Sequence, residues 1–314
     1  MPGLALLILI TVALGFEFIN GFHDTANAIA VSIHTGALSA GRAVALAAVM
    51  NLLGAFASEN VARTISGELI SAAIDEYTII AALIAAIIWN LFTWYLGMPA
   101  SSSHALIGAL IGASVVFTGS TDAVLWKNLV LKVVLPLFLC PPAGFAAGAL
   151  AALFIKKENR IMQIVASAFV AFSHGENDAQ KTMGIITLAL AGRGILCDND
   201  SIPPVIKIVC ALAIAAGTSI GGFRIIDTMG KGLVRLEKTT GLAAQLSSAF
   251  VIQAASAAGI PASTTQIVTA SIMGAGRKQR QKTAKPVFVL LFWLMTMPVC
   301  AFSAGVIMAA IRYI

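Results

Sequence analysis

Ten apolar segments follow one another through the chain, at about 3–33, 43–57, 78–96, 98–118, 129–155, 162–192, 203–222, 242–258, 260–275 and 287–311, with charge gathered between them. Most approach or exceed the roughly 20 residues that a helix needs to cross hydrocarbon, so a bilayer is the solvent this pattern fits. Composition agrees: 59% of residues are hydrophobic and 11% charged, against about 25% charged in a soluble domain. The surplus is aliphatic and small, with 27 glycines and 7% aromatics. Strict alternation is absent, which favours helical spans over an outer-membrane barrel. The first segment has no basic leader and runs straight into Glu17 and Asn20, so it reads as a span rather than a cleaved signal.

The net charge of +6 fits basic cytoplasmic loops better than a nucleic-acid partner. With alternating sides, loops 34–42, 156–160, 223–241 and 276–286 share one face and carry thirteen basic residues: Arg42, Lys156, Lys157, Arg160, Arg224, Lys231, Arg235, Lys238, Arg277, Lys278, Arg280, Lys282 and Lys285. The opposite face has Arg63, Lys127, Arg193 and Arg312 beside Glu59, Glu68, Asp75 and Glu76. That bias puts the first face in the cytoplasm of a multi-pass cell-membrane protein. Cys140, Cys197, Cys210 and Cys300 show no paired spacing and read as small apolar residues.

An internal repeat narrows the architecture. Gly97-Met-Pro-Ala-Ser-Ser-Ser-His104, followed by Gly112, matches Gly259-Ile-Pro-Ala-Ser-Thr-Thr-Gln266, followed by Gly274. Earlier in each half, Gly21-Phe-His-Asp24-Thr-Ala-Asn27 corresponds to Gly175-Glu-Asn-Asp178-Ala-Gln-Lys181. Each half thus contains five segments, and an odd number makes the second half enter from the opposite side. The expected fold is an all-α polytopic membrane protein of two inverted-topology repeats, 1–155 and 156–314, each with a broken-helix membrane hairpin. Motifs 20–28 and 97–112 belong to the first repeat, and 172–184 and 259–274 to the second. Secondary transporters with such repeats bind substrate near the midplane, between the repeats.

The chemistry of the motifs points the same way. Proline lacks an N–H and hydroxyls compete for backbone partners, so each Pro-Ser/Thr run breaks its helix. Lipid cannot satisfy the freed groups, so the breaks must face protein or water. A helix restarting there offers N–H groups and a positive dipole end, and Ser101, Ser102, Ser103, Ser263, Thr264 and Thr265 add hydroxyls; two such ends make an oxyanion receptor. Small residues packing between helices are the plain alternative. Asp24, Asp178, Glu176 and Lys181 lie in or beside apolar segments, where a charge costs on the order of 2.5–3.5 kcal/mol. Their carboxylates, with amide and hydroxyl oxygens nearby, suit a hard cation. Such a cation offsets the repulsion between carboxylates and a bound anion, which is a physical basis for cation-coupled anion uptake. The plain alternative for either aspartate is a helix cap or a salt bridge to Lys181.

His23, His104 and His174 are either proton carriers or hydrogen-bonded structural residues. Gly217-Thr-Ser219-Ile-Gly221 fits a hydrolase pattern but lacks its strand-to-helix setting, so no enzyme is expected. The basic run Arg277–Lys282 serves topology or anionic headgroups.

Asn20-Gly-Phe-His-Asp-Thr-Ala-Asn-Ala28, Phe172-Ser-His-Gly-Glu-Asn-Asp-Ala-Gln-Lys181 and Gly259-Ile-Pro-Ala-Ser-Thr-Thr-Gln266 together resemble the signature segments of the inorganic phosphate transporter (PiT) family. The likeness extends through Phe223–Gly230 and Gly241–Ser248. It implies a cation-coupled phosphate symporter, driven by sodium in some members and using protons or metal-phosphate complexes in others, and it implies a homodimer. The family motif is similar to Gly-Ala-Asn-Asp-Val-Ala-Asn-Ala. Here Phe22-His23 replace Ala-Asn in the first copy, and Glu176 and Gln180-Lys181 depart in the second, so carry-over is firmest at Asp24, Asn27, Asn177 and Asp178. Gln266 stands where members often have histidine, while His104 keeps it.

The expected function is import of inorganic phosphate with co-transported sodium and no bound cofactor. Asp24, Asn27, Asn177 and Asp178 are expected to hold sodium. Ser101, Ser102, Ser103, Gln180, Ser263, Thr264 and Thr265 are expected to hold phosphate, with His104, Glu176 and Lys181 in proton or gating roles. The alternatives are proton-coupled transport of phosphate, metal phosphate or a related oxyanion such as sulfate, an anion channel, and a hydrolase at Ser219.

Overall fold

The computed structural model describes residues 2–70, 74–196, 201–231, 233–234, 237–279 and 285–313. Arg235, Arg280, Lys282 and Cys197 lie outside them. Among the described residues the chain is helical, apart from connecting turns and one isolated bridge between Ile70 and Val124. The first half runs α1 (Pro2–His34), α2 (Ala40–Gly54), α3 (Asn60–Arg63, continued by a π turn Thr64–Glu68), α4 (Glu76–Tyr95), α5 (Ser102–Thr118), α6 (Trp126–Leu129, continued by a π turn Val130–Val134) and α7 (Leu135–Phe154). The second runs α8 (Arg160–Gly192), α9 (Pro204–Ile220), α10 (Phe223–Lys231), α11 (Lys238–Ala257), α12 (Thr264–Ala275) and α13 (Lys285–Arg312).

All ten expected segments are helical, but they are not ten equivalent crossings. Among the described residues four helices are long and apolar enough to span a bilayer, and a fifth span forms if α9 and α10, bent by 72°, count together. α2 and α5 are shorter, and α8 is long but polar at its centre. The protein is therefore multi-pass, with part of its helix reserved for structures that enter and turn back.

The inverted repeat is visible in contact order. Moving along α1 and backward along α8, Thr182 donates to Glu17, Asn20 Nδ2 lies 3.4 Å from Asp178 Oδ2, Ser167 Oγ donates to Ala28 O at 2.9 Å, and Thr35 Oγ1 donates to Gln163 Oε1 at 2.5 Å. The first helices of the two halves are antiparallel neighbours. Around them packing exchanges symmetrically, α9 on α1 and α2 on α8, α4 on α1 and α11 on α8. The last helix of each half packs on the hairpin of the other: α13 on α5, and α7 on α12.

Small residues make these crossings close. A Cβ on Gly112 would fall on the backbone of Ala301, on Gly148 on Ser271, on Gly217 on Phe18 and on Gly54 on Phe172. With lipid as solvent there is no hydrophobic drive between helices, so this approach of backbones supplies the packing attraction.

The two faces assign themselves through polar contacts. Arg160 Nε donates to Ala37 O at 2.9 Å, Lys238 pairs with Glu158, and His34 approaches Ile226 O and Asp227, which gathers loops 34–42, 156–160 and 223–241. Glu59 pairs with Lys207 and Glu76 with Arg193 on the other face. Lys132, paired with Glu68 at 3.9 Å, and Lys207 join that face, raising its basic residues to six; the charge bias keeps its direction. Arg224 departs from its expected loop position. It donates to Tyr95 O at 2.7 Å and stacks on the Trp94 and Tyr95 rings, beside the turn after α4. Among the described residues the cysteines Cys140, Cys210 and Cys300 are free.

Candidate functional site

Each hairpin breaks where its sequence demands. Gly97 and Gly259 take left-handed φ of 66° and 65°, which glycine adopts without steric penalty. Pro99 and Pro261 then forbid helix continuation. Ser101 and Ser263 restart the helices as N-caps, accepting from His104 N and Gln266 N at 3.2 Å each. The carbonyls left at the ends of α4 and α11 are met by donors: Arg224 at Tyr95 O, Asn60 Nδ2 at Ala257 O (3.2 Å) and Lys132 Nζ at Ala258 O (3.0 Å). Trp293 Nε1 donates to Pro99 O at 3.0 Å and fixes the first turn against α13.

The first turn sits at the level of Phe22 and His23 on α1, through Phe22 on Trp94 and His23 Nε2 at 3.0 Å from Thr93 Oγ1. That is about 18 Å of helix short of the end of α1. The tips of both hairpins meet there. Ser103 Oγ donates to Ala262 O at 2.9 Å, and Gln266 Nε2 lies 3.5 Å from His104 Nδ1, so the two repeat-equivalent positions face each other.

The tips close onto the charged centres of α1 and α8. Ser102 Oγ donates to Asp24 Oδ2 at 3.0 Å and Thr265 Oγ1 to Asp24 Oδ1 at 3.1 Å; His23 Nδ1 is 2.6 Å from Oδ1. Asn27 Nδ2 donates to Thr265 Oγ1 at 2.9 Å, and its Oδ1 is buried without a partner. In the second half Thr264 Oγ1 is 3.5 Å from Asp178 Oδ2, His174 Nε2 3.2 Å from the same oxygen, and Lys181 Nζ donates to Asp178 Oδ1 at 2.5 Å. One ligand atom each from Asp24, His174 and Asp178 lies within 4.8 Å of the others. All of these side chains are buried.

Several expected roles take a different form. Ser101 and Ser263 cap helices, so their hydroxyl oxygens face their own backbone. Gln180 does not bond the tip hydroxyls; its Oε1 accepts from Val61 N (2.8 Å) and Ala62 N (3.2 Å) at the start of α3, leaving Nε2 unpartnered. Asn177 turns to α11, donating to Ser256 Oγ at 2.9 Å and Ile260 O at 3.2 Å, with Oδ1 unpartnered. Glu176 faces Gln253. The alternative of a Lys181 salt bridge holds for Asp178. Ser219 donates to Ala215 O of its own helix at 2.9 Å, an ordinary helical hydroxyl.

Residues that motif reading passed over complete the surroundings. Asn51 Oδ1 lies 3.1 Å from His174 Nδ1, and Asn51 Nδ2 donates to Thr218 Oγ1 at 2.8 Å. Thr182 holds the buried Glu17 carboxylate. Their one signal was polarity inside an apolar segment, which by itself marks an inward-facing residue.

Such an arrangement offers carboxylate and unpartnered amide oxygens to a hard cation, and hydroxyls on two helix starts to an anion. Residues 20–160 and 156–304 match the PHO4 family profile, described as the phosphate transporter family. The chain is 43% identical over 325 residues to a probable low-affinity inorganic phosphate transporter of Mycobacterium bovis, covering 96% of this chain and 77% of the relative. It is 42% identical over 323 residues to one so named in Bacillus subtilis, covering 95% of each. A solved structure titled "The sodium-dependent phosphate transporter" shares the fold, with TM-score 0.84 and 21% identity over 99% of both chains.

Proposed function

The chain belongs to the phosphate transporter family, a transporter and not an enzyme, and from that premise we propose that it imports inorganic phosphate in symport with sodium, by alternating access around the meeting point of the two hairpins. The observation that carries this reading is the shared use of hydroxyls. Ser102 and Thr265 donate to Asp24, and Thr264 approaches Asp178. A hydroxyl has one proton, so a group bonded to aspartate cannot donate to phosphate at the same moment. Sodium bound at Asp24, with the open Oδ1 of Asn27 as a neutral ligand, takes over the carboxylate and frees those protons for the anion. Cation and anion sites are then linked through the same side chains, and sodium binds before phosphate. Ser103 and the N–H groups opening α5 and α12 join as the tips part.

The relatives' names support phosphate as cargo. Sodium is supported by the donor set, whose free acceptors are hard oxygens. Coupling to protons, with phosphate, metal phosphate or another oxyanion such as sulfate as cargo, is the second reading, favoured by the burial of the titratable groups Glu17 on α1 and His174 and Lys181 on α8.

Labelled phosphate uptake into proteoliposomes separates the two. Uptake follows an imposed sodium gradient at constant pH and is lost in Asp24→Asn with folding retained. Uptake driven by a pH gradient in sodium-free buffer establishes proton coupling instead, and competition by sulfate or a divalent metal identifies its cargo.

A further inference from the structure

The repeat relates Asp24 to Asp178 and Asn27 to Lys181, each pair 154 residues apart. The hairpins obey the same symmetry, because Ser102 contacts Asp24 Oδ2 as Thr264 contacts Asp178 Oδ2. At the next position the symmetry fails in charge. Beside Asp24 stands the neutral amide of Asn27, joined to the aspartate through Thr265 and carrying an unpartnered buried oxygen. Beside Asp178 stands an ammonium, with Lys181 Nζ 2.5 Å from Oδ1.

Lys181 is 0% exposed and ranks among the largest fully buried side chains. A buried Lys–Asp pair is weak evidence of added stability, since desolvation of both ions offsets much of their attraction. Its fixed consequence is electrostatic. Lys181 balances the charge of Asp178 in place, which leaves Asp24 as the aspartate of the pair whose charge a mobile cation has to balance. His174 and Asn20 also face Asp178, at 3.2 and 3.4 Å, and crowd the remaining oxygen. Among the described residues no lysine or arginine bonds Asp24, and that side keeps the open amide oxygen of Asn27.

We infer that Lys181 is a tethered replacement for one coupling cation: the first half takes up a mobile cation at Asp24 and Asn27, and the second half carries its cation covalently. This rests on the reading that the two aspartates are the coupling centres. Each cycle then moves one cation fewer per phosphate than a site with an amide in both halves.

The test counts ions. In proteoliposomes, cation and phosphate fluxes are measured together with the net charge moved per phosphate. Lys181→Asn, which gives both halves the same residue, raises the cation count by about one per phosphate and makes uptake steeper in cation concentration, while Lys181→Arg keeps the wild-type ratio. An unchanged ratio in a transporting Lys181→Asn protein overturns the inference and leaves Lys181 as a structural ion pair. Should that variant fail to fold or transport, the exchange Asn27→Lys with Lys181→Asn moves the tether to the other half. Recovered uptake at the wild-type ratio supports the inference, and a folded exchange variant without uptake counts against it. Wild-type uptake indifferent to sodium removes the sodium reading alone, because the charge count applies equally to protons and Lys181→Asn must still add one.

Discussion

Asp24 and Asp178 occupy equivalent places in the two motifs, yet their neighbours give them different liabilities. Asp24 is held by hydroxyls and His23, and Asn in its place still accepts a hydrogen bond and strips no lysine of its partner. Asp178→Asn strips Lys181 of its carboxylate in a fully buried setting, the case in which loss of one partner costs about 3–5 kcal/mol. Both substitutions are expected to abolish coupled uptake, but Asp178→Asn alone lowers the melting temperature markedly; equal stability of the two would show that Lys181 finds another partner. Outside the membrane-spanning segments, Glu59 ties α3 to α9. Burial opposes its ionisation, but the hydrogen bond and charge of Lys207, a backbone bond from Ile202 and the charge of Arg63 outweigh burial and hold its carboxyl below the usual range. A carboxyl lowered in the folded state contributes stability above its unfolded value and loses that contribution as pH falls through the folded one. Wild-type melting temperature therefore drops more steeply than that of Glu59→Gln as pH falls below about 5, and parallel curves would show that this ion pair contributes nothing.

At the scale of elements, the hairpin turns carry both the fold and the site. Gly97 and Gly259 have positive φ and tight surroundings: a Cβ on Gly97 would meet Arg224 O at 3.2 Å, and on Gly259 Thr64 Oγ1 at 3.0 Å. Gly36 has a similar φ of 75° but nothing within 4 Å, in the turn between α1 and α2. An alanine at each costs about 1–2 kcal/mol for the left-handed backbone. Gly97→Ala and Gly259→Ala are expected to lose phosphate uptake as well, because they shift Ser101–Ser103 and Ser263–Thr265, whereas Gly36→Ala loses only stability. Thermal unfolding alongside uptake for the three variants checks this. These turns were legible in the sequence because glycine, proline and serine fix backbone conformation locally. The capping role of Ser101 and Ser263 was not read from that pattern, which gave their hydroxyls to the anion. The positions of Gln180 and Asn177 were not legible. Both lie on α8 beside Asp178, and which way each turns depends on α3 and α11, elements distant in sequence whose approach is set by packing. Asn51 and Thr218 were hidden for the same reason, since a single polar residue in an apolar segment shows that it faces inward but not what it meets.

Across the whole molecule, the exchange of last helices fixes what can move. α13 belongs to the second half but packs on α5 and α4, and α7 belongs to the first half but packs on α12 and α11. Each hairpin is therefore clasped by a helix from the other repeat, and Gly112 against Ala301 and Gly148 against Ser271 bring the clasping helices to close backbone approach. Motion is instead directed to the contact between the tips, where Ser103 meets Ala262 O and His104 meets Gln266 through only a few hydrogen bonds. Asp24, Asn27 and Asp178 are buried and bonded to the tip hydroxyls, and on the proposed function cations reach them when that contact opens. On the proposed function, alternating access then consists of one hairpin with its clasping helix parting from the other, toward opposite faces in turn. Cysteines at Ser103 and Ala262, joined by a short reversible crosslinker, are expected to stop uptake almost completely and to restore it on reduction. Full uptake in the crosslinked protein would mean that the two tips travel together as one body, and the moving boundary would have to be sought between α1 and α8 instead.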